Sequence, residues 1–468
     1  MINLLIPIKN KVQACFFVSV SAVFIQAQTL PPPAQVIQSM TVVNKHFMKK
    51  WPDPATMLPG NRPSNIWTRA AYFEGDMAMY FITLDTSYYN YAVRWGTYHN
   101  WGLRTGDTTK NADNQCAGQI YVELYQLDQK AERISHIKPC IDSVVKSARV
   151  NYWTWIDAIQ MAMPVFTKLG VVYNDTAYFR KMYSLYNYAK ATIGLYNGTT
   201  DHLWWRDTTF KPPYTEPNGR NCYWSRGNGW VFAALARVLD VLPLTDSHRS
   251  EYIQTFTEMA GALRSAQRTD GFWNVSLQDP TDYGGPEVTG TSLFTFGMAW
   301  GIRKGFLDSA NYKPVVAKAW NGMVTVALRA DSVLGYYQGT GNQPSAGQPV
   351  TLTSVPDFDD FGVGCFLLAG SEVYRLSVGT TRIFNNKEGL RELKPEVQIS
   401  NKAIKVTNSN GTRISFVIHD LNGRQILRKA VDHSAEIRFA SIIKRGTFII
   451  EVEKAGKILF AHKFITVN

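Results

Sequence analysis

Between Pro33 and about Leu376, apolar residues recur at three- and four-residue spacing, and strict alternation is almost absent. The spacing predicts twelve helices, at about 34–50, 66–84, 87–101, 113–129, 131–148, 154–168, 174–195, 226–241, 246–265, 289–306, 312–330 and 359–377. Their ends carry matching chemistry, with Asp175 and Asp246 as N-caps, Pro314 in a first turn and Gly170 past a last one. Alternating short and long connections predict an all-α (α/α)6 toroid of six helical hairpins. An open solenoid is the competing arrangement, but no regular sequence period supports repeats. The longest irregular stretches, 197–225, 267–288 and 335–358, are rich in Gly, Pro, Asn and aromatic residues. Loops of that size inside a compact domain are usually functional, and a hairpin toroid gathers them on one face.

After about residue 395 the period changes from 3.6 to two. Val397–Ile399, Ile414–Ile418, Arg424–Leu427, Thr447–Val452 and Lys463–Val467 alternate, and Asn422-Gly423 is a strong hairpin turn, with Ala455-Gly456 a weaker one. The prediction is a small C-terminal β-sandwich domain. At the other end, Lys9 and Lys11 precede the apolar run Ala14–Ile25, and Ala27 is a cleavage point before Pro31-Pro32-Pro33, which reads as an export signal. The expected layout is a signal peptide at 1–27, a helical catalytic domain at 28–377, a linker at 378–395 and the β-domain at 396–468. No later apolar run approaches the roughly 18 residues of a membrane helix, so no transmembrane segment is expected.

Composition narrows the function. Aromatic residues make up 13% of the chain, including 13 Trp and 23 Tyr, which fits either a heavily packed core or a sugar cleft. The net charge of +12 suggests a polyanion, yet residues 391–468 carry 14 Lys and Arg against 7 Asp and Glu. With the +2 of Lys9 and Lys11 in the signal also set aside, the helical body is left with about +3, too little for a nucleic-acid footprint and compatible with an acidic sugar fragment. Cys116, Cys140, Cys222 and Cys365 lack C-x-x-C spacing, so zinc and redox motifs are unsupported. Buried free thiols are favoured over one disulfide. No metal cluster, nucleotide loop or nucleophile elbow is visible, and neither metal nor cofactor is expected.

What remains is acids set among aromatic and amide residues. Asp157, in Trp153-Thr154-Trp155-Ile156-Asp157-Ala158, opens a helix that is apolar all round. Burial would raise its pKa towards the range useful to a general acid, whereas a surface carboxylate there would simply complement the helix dipole. Asp113, in Asn111-Ala112-Asp113-Asn114, is on local evidence an N-cap. Trp224-Ser225-Arg226-Gly227-Asn228-Gly229-Trp230 opens another helix with poor helix formers, and suggests close backbone approach or ligand contact. Arg226 there would hold a carboxylate in a bidentate pair or serve a structural ion pair.

Trp155-Ile156-Asp157 with Met161-Ala162-Met163-Pro164, then Trp224–Trp230, then Glu287-Val288-Thr289-Gly290-Thr291-Ser292 and Phe361–Glu372 together resemble the unsaturated rhamnogalacturonyl hydrolase family. The resemblance runs colinearly over about 35–377. It implies an (α/α)6 fold and removal of a 4,5-unsaturated uronic acid from the non-reducing end of lyase-generated acidic oligosaccharides. It makes Asp157 the acid/base, Asp113 a second acid, and Trp153, Trp155, Arg206, Trp224, Arg226 and Trp230 substrate-binding. Where many members carry a His, the segment Asp201-His202-Leu203-Trp204-Trp205-Arg206-Asp207 offers His202 or Arg206, and Arg206 is preferred. The C-terminal segment resembles a type IX secretion sorting domain through Ile418–Arg424, Arg445–Ile450 and Lys463-Phe464-Ile465. That implies the secretion machinery as a partner and an exported enzyme; a carbohydrate-binding module is the alternative. Competing readings of the whole are an (α/α)6 glycosidase for saturated sugars, using two carboxylates, and a non-catalytic glycan-binding protein.

Overall fold

The structure is a computed structural model that describes residues 29–354, 360–378 and seven strand segments between 396 and 466. The helices are α1 (Pro33–Lys50), α2 (Trp67–Thr83), α3 (Thr86–Tyr98), α4 (Ala112–Gln115), α5 (Gly118–Leu127), α6 (Ile137–Val145) and α7 (Asp157–Tyr173). They continue with α8 (Thr176–Asn187), α9 (Ser225–Val241), α10 (Arg249–Ser265), α11 (Val288–Lys304), α12 (Ser309–Gly322) and α13 (Asp360–Ser377).

Burial sorts them into two layers. In α11 every residue from Val288 to Ile302 is buried. In α10 only Tyr252, Thr255, Phe256, Met259, Ala260 and Leu263 are, a one-sided stripe at helical spacing. The first kind is surrounded by other helices; the second has an outer face in solvent. The inner helices close a ring: α2 packs on α5, α5 on α7, α7 on α9, α9 on α11, α11 on α13 and α13 on α2. Outside them, α1 packs on α13, α3 on α2, α6 on α5, α8 on α7, α10 on α9 and α12 on α11. This is the expected (α/α)6 toroid. Where α2 meets α13 the backbones touch, since a Cβ on Gly75 would fall 2.3 Å from the Gly364 carbonyl oxygen.

Several boundaries differ from the sequence reading. The segment expected as one helix at 113–129 is split into α4 and α5 at Cys116-Ala117, and 131–148 is a 3₁₀ turn (Ala131–Ile134) followed by α6. α7 starts at Asp157 rather than 154, because Trp155 and Ile156 pair with the backbone of Arg206 and Asp207. It runs past Gly170, which is buried against the Phe179 ring; Asn174, in a left-handed conformation, ends it instead. Asp175 caps α8 as expected, its side chain accepting from Ala177 N at 2.8 Å. Pro314 lies inside α12, which begins at Ser309 behind an Asp308 cap. Asp246 caps the turn before α10, whose own flanking residue is His248. One π turn extends each of α8 (Tyr188–Thr192) and α12 (Met323–Ala327).

Connectivity fixes which face is functional. Connections from inner to outer helix are short, such as 84–85 and 174–175, whereas those from outer to inner helix include 188–224, 266–287 and, among the described residues, 328–354. The long loops therefore collect where the six inner helices begin. There the positive ends of six helix dipoles point into one funnel, which favours an anionic guest. Loop 188–224 includes a two-residue antiparallel pair, β1 (Tyr196–Asn197) with β2 (Leu203–Trp204).

The C-terminal strands form two antiparallel sheets, as their alternation predicts. One has the order β3 (Glu396–Ile399), β4 (Ala403–Thr407), β7 (Ser434–Arg438); the other is β6 (Gln425–Val431), β5 (Ile414–Asp420), β8 (Gly446–Lys454), β9 (Lys457–Thr466). The expected turns at Asn422-Gly423 and Ala455-Gly456 lie outside the described residues, but the strands they join are paired. The export signal at 1–27 and most of the 378–395 linker also lie outside them. All four described cysteines are free and buried. Among the described residues, no helix is long and apolar enough to cross a membrane.

Candidate active site

The first turns of the inner helices bring the sequence candidates together. Asp157 is the first residue of α7, is 9% exposed, and receives no capping side chain before it. Ile156 N donates to Arg206 O at 2.9 Å, and Trp155 forms a bridge with Asp207. This backbone pairing lays the Arg206 side chain over the carboxylate, with Nε donating to Asp157 Oδ2 at 3.1 Å and Nη1 to Asp207 Oδ2 at 2.8 Å. Burial pushes the Asp157 carboxyl above its usual range, with the Arg206 and Arg226 cations opposing. Asp207 goes the other way: burial raises it, but hydrogen bonds from Thr209 and Arg206 prevail and keep it ionised.

Asp113 is not the cap its local sequence suggests. Asn111 takes that place, its Oδ1 accepting from Asp113 N at 2.8 Å, which leaves the Asp113 side chain available. Its carboxyl is raised to about 6 by burial and by the Asp157 charge, with Arg206 and Arg104 opposing. The Asp157 charge thus favours the protonated form of Asp113. The simple helix-dipole reading of Asp157 gives way to a buried acid with an arginine partner.

The Trp224–Trp230 motif works as a clamp. Arg226 donates to Gln338 O at 2.7 Å and Gly339 O at 2.6 Å, between the rings of Trp224 (4.6 Å) and Phe361 (4.9 Å). Among the described residues no carboxylate lies within ion-pair distance of it, and these two bonds tie loop 335–350 to α9. Burial lowers its pKa, opposed by Glu287 and Asp157. Trp224 Nε1 donates to Gln338 Oε1 at 2.8 Å. Asn228 accepts from Trp204 N at 2.8 Å and donates to Trp204 O at 3.0 Å, so the motif holds the β2 loop as well. Gly229 has no room for a side chain, since a Cβ would meet Leu293 Cβ at 2.9 Å. Glu287 caps α11, accepting from Thr289 N and Gly290 N at 2.7 and 2.6 Å.

The tryptophans divide. Trp155 is half-buried beside Asp157. Trp153, Trp224 and Trp230 are each 1% exposed, which leaves no ring face for a sugar; they support the wall rather than form it. Trp153 packs edge-on against Phe166, and Trp230 against Trp67. His202 lies 3.6 Å from Glu258, and Arg206 is the residue on Asp157. Sequence reasoning missed Trp67, a half-buried ring at the start of α2 that abuts Phe361 at 5.2 Å, and Arg104, an exposed cation near Asp113. Neither carries a local motif, and each is placed only by ring closure. Among the described residues, no group of three or more His, Cys, Asp or Glu side chains is arranged to hold a metal ion.

Comparison with known proteins agrees with this architecture. The model for Glycosyl Hydrolase Family 88 matches residues 39–377. A Formosa agariphila protein named unsaturated 3S-rhamnoglycuronyl hydrolase is 30% identical over 330 residues, covering 66% of this chain and 84% of that one. A solved glycosyl hydrolase family 88 structure from Bacteroides vulgatus is 32% identical with a TM-score of 0.68, covering 74% of this chain and 99% of that one. Another solved structure, named as a polysaccharide lyase, is 34% identical with a TM-score of 0.68, covering 74% and 98% respectively.

Proposed function

From the premise that the chain belongs to glycosyl hydrolase family 88, we propose that it removes a 4,5-unsaturated uronic acid from the non-reducing end of lyase-generated acidic oligosaccharides. The observation that carries the reading is the pair Asp157 and Asp113, two carboxyls raised by burial, the first at the start of α7 beneath Arg206 and the second on the short α4 packed against α7. Burial favours the protonated form of both, in the direction the reaction requires. Asp157 protonates C4 of the enol-ether double bond while positive charge develops at C5. Water adds at C5 as the ionised Asp157 takes up its proton. The hemiketal then opens by cleavage of the C5–O5 bond to a C5 ketone, and the hemiacetal so left at C1 collapses to an aldehyde, releasing the next sugar as an alcohol. Asp113, whose own proton affinity is raised by the Asp157 charge, orients the sugar, and Trp155 and Trp67 flank the ring. The name of the Formosa relative favours a rhamnose next to the unsaturated sugar. The leader and the C-terminal strand domain we read as export and sorting elements, with the enzyme acting outside the cytoplasm.

A lyase is the second reading, suggested by the name of one structural relative. The two differ in sign. A hydrolase consumes the conjugated double bond, so ultraviolet absorbance of lyase products falls; a lyase creates one, so absorbance of the intact polysaccharide rises. We expect a fall with unsaturated oligosaccharides and no rise with the parent polymer. A rise with the polymer would overturn the proposal.

Arg206 sets the pH profile. It stabilises both carboxylates, so Arg206→Gln raises both pKa values. Activity requires the protonated acid and is lost as pH rises through its pKa. The basic limb of kcat/KM therefore moves to higher pH in Arg206→Gln. A limb that stays put or moves lower would contradict this placement of Arg206.

A further inference from the structure

One helical turn beneath the carboxyl pair lies a buried polar network. Pro164 sits inside α7 and has no N–H to offer the carbonyl of Gln160, four residues earlier. That carbonyl is nevertheless satisfied: Gln119 of α5 donates its side-chain Nε2 to Gln160 O at 2.7 Å and approaches Met161 O at 3.2 Å. Gln119 Oε1 accepts from Arg237 of α9 at 2.5 Å, and Arg237 also donates to Glu74 of α2 at 2.5 Å. Glu74 Oε2 closes the circuit by accepting from Gln160 Nε2 at 2.7 Å. Lys168 of α7 donates to Gln119 O at 3.2 Å and pairs with Glu123 of α5.

Gln119, Gln160 and Glu74 are all at least 97% buried, so an unmet partner here has no water to turn to. The backbone carbonyl and the side-chain Nε2 of Gln160, three residues after Asp157, are thereby held from outside its own helix, while its Oε1 is buried without a hydrogen-bond partner among the described residues. The circuit joins α7, which carries Asp157, to α5, which continues the α4 segment of Asp113, and to α9, which carries Arg226.

We propose that Gln119 is a positioning residue for catalysis: its amide replaces the N–H that Pro164 removes, and so sets the first turn of α7 and the placement of Asp157 beneath Arg206. The inference rests on the proposed hydrolase reading for its kinetic readout. Gln119→Leu should lower kcat roughly tenfold with KM within about twofold, since small misplacements of a reacting group are costly. It should also displace the basic limb of the pH–rate profile. The decisive variant restores the missing donor from within the helix. Pro164→Ala, near wild type alone, should recover most of kcat and the pH profile when combined with Gln119→Leu.

Wild-type kcat and pH profile in Gln119→Leu would overturn the inference, as would a double variant no better than the single one. If Gln119→Leu does not fold, the cycle is read by thermal unfolding: a folded double variant supports the coupling, and one as unfolded as the single overturns it. A wild-type protein that consumes no unsaturated oligosaccharide would defeat the hydrolase reading, while the unfolding cycle would still decide whether Gln119 and Pro164 are coupled.

Discussion

Asp157→Asn leaves a folded protein whose kcat is lower by roughly 10³-fold, within the range of a general acid's contribution. The substitution is nearly isosteric, and the amide oxygen can still accept from Arg206 Nε, now 3.1 Å from Asp157 Oδ2. Only the transferable proton is lost. Because burial already disfavours the charged form of this carboxyl, removing the charge costs the fold little, and thermal unfolding should match wild type. KM should change modestly, since Trp155, Asp113 and the helix starts remain. The check is the initial rate of absorbance loss on a lyase-generated oligosaccharide, beside a melting curve. Turnover within tenfold of wild type would remove Asp157 from the role and with it the hydration mechanism.

That Asp157 could be found in the sequence at all has a physical reason. An inner helix of a toroid is buried all round, so a carboxylate in its first turn stands out against an otherwise apolar run. The same property made the helix count robust. In the structure α11 and α13 are buried over nearly their whole circumference and α10 along one stripe, and the alternation of the two kinds is the toroid. What could not be read is whatever depends on pairing across the chain. Arg206 meets Asp157 from 49 residues away through a backbone bridge, and that bridge also delays the start of α7. Gly170 looks like a helix stop because its local signal is strong, but packing on Phe179 from α8 overrides it. The aromatic residues misled for a related reason. A Trp in a motif is equally a sugar platform or a wall, and only burial separates half-buried Trp155 and Trp67 from the enclosed Trp153, Trp224 and Trp230. Asp113 reads locally as an N-cap, but Asn and Asp have nearly equal cap preference, and in the structure Asn111, two positions earlier, takes that place.

Arg226→Met should be the most damaging substitution to the fold of the site. The guanidinium is 1% exposed and donates to two loop carbonyls, Gln338 O and Gly339 O, at 2.7 and 2.6 Å. Methionine fills much of the volume and keeps contact with the Trp224 and Phe361 rings, but it offers no donor. Each buried carbonyl left without a partner costs about 1–3 kcal/mol, so the loss is on the order of 2–6 kcal/mol unless the loop moves out to find water. The loop is the weaker party, because the rest of α9 is packed against α7 and α11. Release of residues 338–339 would also break the Trp224–Gln338 hydrogen bond and leave Glu287 without its buried cation. Burial already raises the Glu287 carboxyl against the pull of Arg226, so in the variant it rises further and the α11 cap weakens as it takes up a proton. Asp157 loses an opposing cation too and moves the same way. The expected result is a lowered melting temperature, a kcat/KM reduced by about 10²-fold, and faster proteolysis within 335–350. Arg226→Lys should recover only part of the stability, because one ammonium cannot span both carbonyls while lying between two rings. An Arg226→Met protein with wild-type melting and an uncut loop would show that the clamp is not what holds the rim.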